Sequence, residues 1–281
     1  MSERRNWPPL LQAVADYRYP EARKLLDQGA DVNAAVPVEN WMLDGVTALM
    51  FATGAFDGYV LDERSPGRGF DPQFLEFLLH AGANINARTH KGVTALHLSL
   101  ANAELRRFLL DHGADCEIAN EYGAAPLHQA ATYGGTDACR DLFQHGAKLE
   151  TTDKYGYTPL LWAAQGAFPE TIKALIELGA NVEAALPDGN RALHLAANSV
   201  NWSRTADTLQ VLLEAGAKVN MPGSNQNTPL HYAALGYSAD AIRVLLRHGA
   251  NRMARAANGA TPLDTALLYH KDEAVRALQG G

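Results

Sequence analysis

Histidine is the residue type with the widest chemical reach in this 281-residue sequence, and eight of its ten histidines recur in two fixed slots. His97, His128, His194 and His231 each follow a leucine, in Thr94-Ala-Leu-His, Ala125-Pro-Leu-His, Arg191-Ala-Leu-His and Thr228-Pro-Leu-His. Imidazole serves as a metal ligand and as a general acid or base. A zinc ion would hold its nitrogens at about 2.0–2.1 Å. Packed helices lie about 8–10 Å apart, so histidines carried one per successive helix cannot gather around a single ion. In the second slot His112, His145 and His248 stand directly before a Gly-Ala step, and His80 one residue earlier. The last turn of a helix favours a cation, and these rings are expected to face solvent.

The other chemical signals are weaker. Cys116 takes the place held by Val32 and Val182 in comparable segments, a small buried apolar position, and Cys139 lies in a helical pattern. Neither adjoins a histidine in a nucleophile arrangement. Two cysteines make no disulfide framework and fit a reducing, cytoplasmic setting. The sequence has no Gly-rich phosphate loop, no His-Glu-x-x-His and no Gly-x-Ser-x-Gly. Gly223-Ser-Asn-Gln falls in a turn, and the carboxylates are scattered. The expectation is therefore no catalytic residue, no metal and no cofactor. With 24 basic against 31 acidic residues the net charge is −7, which argues against a nucleic-acid partner. No apolar run follows the arginines near Met1, and no stretch of about 18 apolar residues occurs, so neither a signal peptide nor membrane insertion is expected.

The elements that carry these residues repeat. Gly-Ala steps close apolar runs at Gly29, Gly82, Gly113, Gly146, Gly179, Gly216 and Gly249. From Gly82 onward they are spaced by 31, 33, 33, 37 and 33 residues. A second landmark keeps the same phase: Thr47-Ala-Leu, Thr94-Ala-Leu, Ala125-Pro-Leu, Thr158-Pro-Leu, Arg191-Ala-Leu, Thr228-Pro-Leu and Thr261-Pro-Leu. Thr158 reads as a helix N-cap and Pro159 as the first helical residue, whose missing N–H costs nothing there. Leu160, Ala163 and Ala164 share one face. A second helix is expected over Thr171–Leu178, with Ile172, Leu175 and Ile176 inward and Gly179 as its left-handed cap. The polar stretch from Asn181 to Gly189 suits a hairpin-like turn. One such helix pair cannot bury its own apolar face, so neighbours must stack.

A period near 33 with Gly156-Tyr-Thr-Pro-Leu160 and Thr228-Pro-Leu-His-Tyr-Ala-Ala234 resembles the ankyrin repeat over nearly the whole chain. The resemblance implies an all-α solenoid of about eight helix-turn-helix units in a single domain, 1–281. Its parts would be a capping repeat over about 5–36, a repeat with a long insertion over about 37–89, regular repeats over about 90–257 and a C-terminal cap over about 258–281. It also implies a structural role for the signature histidines, bonding between turns and adjacent backbone.

Departures from the period mark candidate binding features. The first inter-repeat turn carries about six extra residues around Val36–Met42, and the second repeat an insertion of about 14 around Asp57–Gly69. Repeat six has four extra residues near Val200–Arg204.

In ankyrin proteins the turn tips and the exposed face of the first helix form a concave groove. Those slots here hold Trp41 and Met42 in the extended first turn, His90 and Lys91 in repeat three, and Glu121, Tyr122 and Tyr133 in repeat four. Repeat five supplies Lys154, Tyr155, Tyr157 and Trp162; repeat six Asp188, Asn190 and, in its extra residues, Trp202; repeat seven Asn225, Asn227 and Tyr232. Exposed aromatics at neighbouring tips have the composition of a binding hot spot. Tyr122, Tyr155 and Tyr157 are expected to be exposed, whereas Trp162 and Tyr232 fit either the groove or packing between helices. The function implied is a non-catalytic scaffold, monomeric, that binds another protein or peptide. The alternative is an enzyme or small-molecule binder with a pocket between the groove and the repeat-two insertion, near Glu121, Asp153 or Asp188.

Overall fold

The computed structural model describes residues 6–37, 43–54, 70–236 and 238–280. Among them sixteen α-helices form eight consecutive pairs: α1 Pro9–Ala15 with α2 Tyr19–Asp27, α3 Ala48–Ala52 with α4 Pro72–His80, and α5 Ala95–Leu98 with α6 Ala103–Asp111. Then follow α7 Pro126–Thr132 with α8 Thr136–Gln144, α9 Pro159–Gln165 with α10 Pro169–Glu177, and α11 Ala192–Ala197 with α12 Trp202–Glu214. Last come α13 Pro229–Leu235 with α14 Ala239–Arg247, and α15 Pro262–Leu268 with α16 Asp272–Gln279. The chain divides into two compact units, Met1–Pro126 and Leu127–Gly281. In the first, α1 packs on α2 and α3, α3 on α4, and α5 on α6. In the second, α9, α11, α13 and α15 form one layer and α8, α10, α12, α14 and α16 another. Trp41, Met42 and the Asp57–Gly69 insertion lie outside the described residues.

The local chemistry of each pair is visible in repeat five. Thr158 is extended, its side chain accepts the N–H of Leu161, and Pro159 opens α9. Leu160, Leu161, Ala163 and Ala164 are all buried. Burying one leucine contributes about 1.5–3 kcal/mol, and the alanines let the next helix approach. The second helix starts at Pro169 rather than Thr171, because a proline fits the first helical turn and Phe168 stands before it. It ends at Glu177, where Gly179 at φ +108° lets Ala180 N–H reach the Leu175 carbonyl at 2.9 Å. The following turn is a hairpin closed by an Ala185–Arg191 bridge. A matching Ala35–Thr47 bridge closes the first inter-repeat turn.

The four extra residues of repeat six are not a loop insertion. They lengthen α12 to 13 residues, where α8, α10 and α14 have nine. Trp202 opens that extra turn. At the same end of repeat five, Phe168 lies over Gly134 and Gly166, where an added methyl group would strike its ring.

Each signature histidine is buried and ties its repeat to the next turn. His231 Nδ1 accepts the Thr228 N–H at 3.1 Å, so the ring proton sits on Nε2, which donates to the Ala260 carbonyl at 3.1 Å. His194 repeats this with Arg191 N–H at 3.1 Å and the Met221 carbonyl at 2.9 Å. His97 does so with Thr94 N–H and the Ala124 carbonyl. His128 donates to the Thr151 carbonyl at 2.8 Å. The neutral imidazole is the form that fits. Burial pushes His194 down to about 4, with the Arg191 charge adding to the shift against the upward pull of its bond to Met221. Burial likewise lowers His231. The second histidine slot is exposed, as expected, and it also bonds backbone: Nδ1 of His80, His112 and His145 lies 2.9, 2.7 and 2.8 Å from the carbonyl four residues back. The protonated Nδ1 of each donates to that carbonyl, which in His112 and His145 also accepts the histidine's own backbone N–H, at 3.1 and 3.3 Å.

Two outcomes follow for stability. His128→Ala removes a part-buried hydrogen bond and the side chain that fills that space, at an expected cost of about 1–3 kcal/mol in urea denaturation. The second concerns acid. An unfolded histidine takes up its proton near pH 6.5, whereas folded His194 resists protonation down to about 4. Between those values the unfolded state binds more protons, so stability falls as pH falls, by about 1.4 kcal/mol per pH unit for this group. His194→Gln, which cannot titrate, should flatten that part of the pH profile; an unchanged slope would reject the assignment.

Candidate functional site

The hairpin of repeat five, in the second unit, is organised by one carboxylate. Asp153 is only 7% exposed. Its Oδ1 accepts the N–H groups of Tyr155 and Tyr157, both at 2.9 Å, and its Oδ2 accepts the indole Nε1–H of Trp162 at 2.9 Å. Asp153 N–H closes the hairpin on the Tyr157 carbonyl at 3.0 Å. Trp162 therefore projects from α9 against Tyr157, their rings stacked at 4.4 Å and 25°. Tyr155 stands clear of them, 61% exposed. Trp162 is half-buried and packs on the hairpin. Tyr157, expected to be exposed, is half-buried for the same reason.

The next hairpin abuts this one. Gly156 has φ +85° and an added methyl group would meet Pro187 at 2.8 Å, so only glycine admits that contact. Asp188 follows Pro187 and is exposed. Its carboxylate accepts the backbone N–H of Asn190 at 2.9 Å and the side-chain N–H at 2.8 Å. Burial raises the Tyr157 hydroxyl above its ordinary range, and the charges of Asp188 and Asp153 raise it further. Asn190 Oδ1 in turn accepts Ser224 N–H at 3.1 Å and the Tyr232 hydroxyl at 3.3 Å. Tyr232, half-buried, meets the His194 ring edge-on at 6.0 Å. Asn227 is half-buried, and Asn225 is exposed at φ 54° with its carbonyl accepting Ala257 N–H. Lys154 is exposed.

Two other expected site residues of the second unit stand apart. Tyr133 (75% exposed) follows α7 and Trp202 (48%) opens α12, so both sit at the helix-to-helix turns, the far end of their repeats from the hairpins. In the first unit, His90 and Lys91 are exposed; His90 Nδ1 lies 2.6 Å from Asp44 Oδ1. Glu121, also exposed, donates its N–H to the Lys91 carbonyl at 2.7 Å. Tyr122 is 54% exposed, its N–H held by Asn120 Oδ1 at 2.9 Å. Asn120 and Asp153 occupy the same hairpin slot, a side-chain-to-backbone turn signal that the sequence does carry. Its second use, gripping Trp162, depends on a Trp nine residues later and is special to repeat five.

A groove of about 590 Å³ opens along the starts of α12, α14 and α16, lined by Trp202, Ser238, Asp240, Arg243, Glu273 and Arg276 among others. It lies away from the hairpins. Among the described residues, no group of three or more His, Cys, Asp or Glu side chains could hold a metal ion. Within the same residues no helix is long and apolar enough to cross a membrane.

Stacked helix pairs joined by hairpins and clasped by histidine define the class, and sequence comparison agrees. Three copies of the ankyrin-repeat model match residues 67–153, 147–223 and 202–280, and the chain belongs to the ankyrin-repeat family. It is 35% identical over 114 residues to a putative ankyrin repeat protein of fowlpox virus, a match covering 40% of this chain and 28% of that protein. It is 32% identical over 142 residues to mouse neurogenic locus notch homolog protein 2, covering 46% of this chain and 5% of that protein. The chain thus spans only a minor part of these relatives. The crystal structure of the human ASB11 ankyrin repeat domain is similar, with a TM-score of 0.68 and 26% identity, covering 82% of this chain and 96% of that one.

Asp153→Ala withdraws the acceptor of three N–H groups. It is expected to cost about 1–3 kcal/mol and to speed hydrogen exchange at the Tyr155 and Tyr157 amides, with the helices retained. Unaltered exchange at both amides would show that the hairpin holds itself.

Proposed function

We propose that this chain is a non-catalytic interaction module that binds a partner protein or peptide on the face made by its hairpin tips and first helices. Ankyrin repeats are generally protein–protein interaction modules, and the chain's membership of that family supports the class of function. The observation that carries the choice of face is the repeat-five hairpin. Tyr155 is exposed on a backbone fixed by Asp153, beside an immobilised Tyr157–Trp162 stack. An exposed tyrosine on a rigid support contributes apolar area and a hydroxyl while losing little entropy on binding.

The test begins with affinity capture and mass spectrometry to identify the partner. Tyr155→Ala is the cleaner variant, because Tyr157 also packs on Trp162. Loss of a hot-spot tyrosine should weaken binding by about 2 kcal/mol or more, and Tyr155→Ala/Tyr157→Ala by at least as much. Glu177→Ala, on the outer face of α10, should change little. Unchanged affinity in a folded double variant would place the contact elsewhere.

A further inference from the structure

The repeat-five and repeat-six hairpins carry more than apolar area, and their chemistry specifies one kind of guest. Resting on the hairpin-face reading above, we infer that this surface receives an arginine side chain of the partner. Three features converge on a cation. The Tyr157–Trp162 stack offers π faces, which attract guanidinium groups. At the edge of the indole lies the Asp153 carboxylate, whose three hydrogen-bond donors, Tyr155 N–H, Tyr157 N–H and Trp162 Nε1–H, are all neutral. A carboxylate bonded to the indole N–H also makes the indole ring richer in electrons. At the rim, Asp188 is exposed, close enough for its charge to act on Tyr157, and held in place by Asn190.

Arginine fits this arrangement better than lysine. Its planar guanidinium can lie on an aromatic face and still extend an N–H fork to a carboxylate, and it sheds water more readily than an ammonium. An exposed rim and a half-buried aromatic floor suit a side chain that keeps one edge wet. Approach is favoured by the chain's net charge of −7.

The direct probe is Nα-acetyl-arginine methylamide titrated into isotope-labelled protein, read by NMR at the tryptophan indole N–H groups, with Trp162 assigned through Trp162→Phe. The Trp162 signal is expected to shift saturably, the neutral citrulline analogue to have no effect, and added salt to weaken the response. Asp188→Asn preserves shape and should weaken binding by about two- to fivefold, the size of one exposed ion pair. Equal shifts from citrulline, or no shift up to the solubility limit, would overturn the inference. A random peptide library panned on the folded protein separates this inference from the reading beneath it. Selected peptides that need Arg and weaken with Asp188→Asn support both. Peptides that lose binding with Tyr155→Ala but carry no arginine preserve the hairpin face and reject the arginine. Peptides indifferent to both Tyr155→Ala and Tyr157→Ala reject the face itself.

Discussion

A helix of four to seven residues does not persist alone in water, where about 12–15 residues are needed even for favourable sequences. The first helix of every repeat falls below that length, from Ala95–Leu98 to Pro159–Gln165. Each therefore exists only because a neighbour covers it. Leu160, Leu230 and the paired alanines of α9 and α13 are buried on helices that pack both on the second helix of their own repeat and on the first helices of adjacent repeats. Capping threonines and N-terminal prolines fix where each helix begins, but stacking decides whether it forms at all.

Histidine gives that dependence a direction. Apolar contact between repeats is indifferent to small sliding, whereas a bond from Nε2–H to one carbonyl is not. His194 and His231 each accept a bond from the start of their own helix and donate one to the following turn. The slot changes character where the surroundings change. In repeat five it holds the buried Leu161, and at the hairpins Pro187 of repeat six is seated over Gly156. In the repeat of α15 it holds Asp264, whose carboxylate accepts the N–H and hydroxyl of Thr261 and caps its own helix.

The sequence made the fold legible because two landmarks share one period, and each landmark does one thing everywhere it occurs. Threonine and proline open helices, and glycine closes them. Burial of Cys116 and the exposed second histidine slot were legible for the same reason. Single side chains at the site were less so. Tyr157 occupies a tip slot like Tyr155, yet one turns onto Trp162 and the other does not, because Asp153 Oδ2 draws the indole toward the hairpin. Nothing in a linear pattern separates those fates. The extra residues of repeat six misled in the opposite way. Val200-Asn-Trp-Ser-Arg204 has no strong helix breaker, and most of it extends α12.

That extension has a consequence for registry. Near-identical repeats resemble the teeth of a rack, and a ligand that recognised only their common features could settle one tooth out of place at little cost. Four added residues displace the start of α12 by about 6 Å along its axis, and no other second helix from α8 to α14 is so lengthened. Beside it, repeat five is the one whose histidine slot holds leucine next to a hairpin-bound tryptophan. Two neighbouring repeats thus carry marks that their siblings lack. The translational near-symmetry of the second unit is interrupted at these two repeats, and a rigid rod laid along the repeats would find one phase distinguished from the rest.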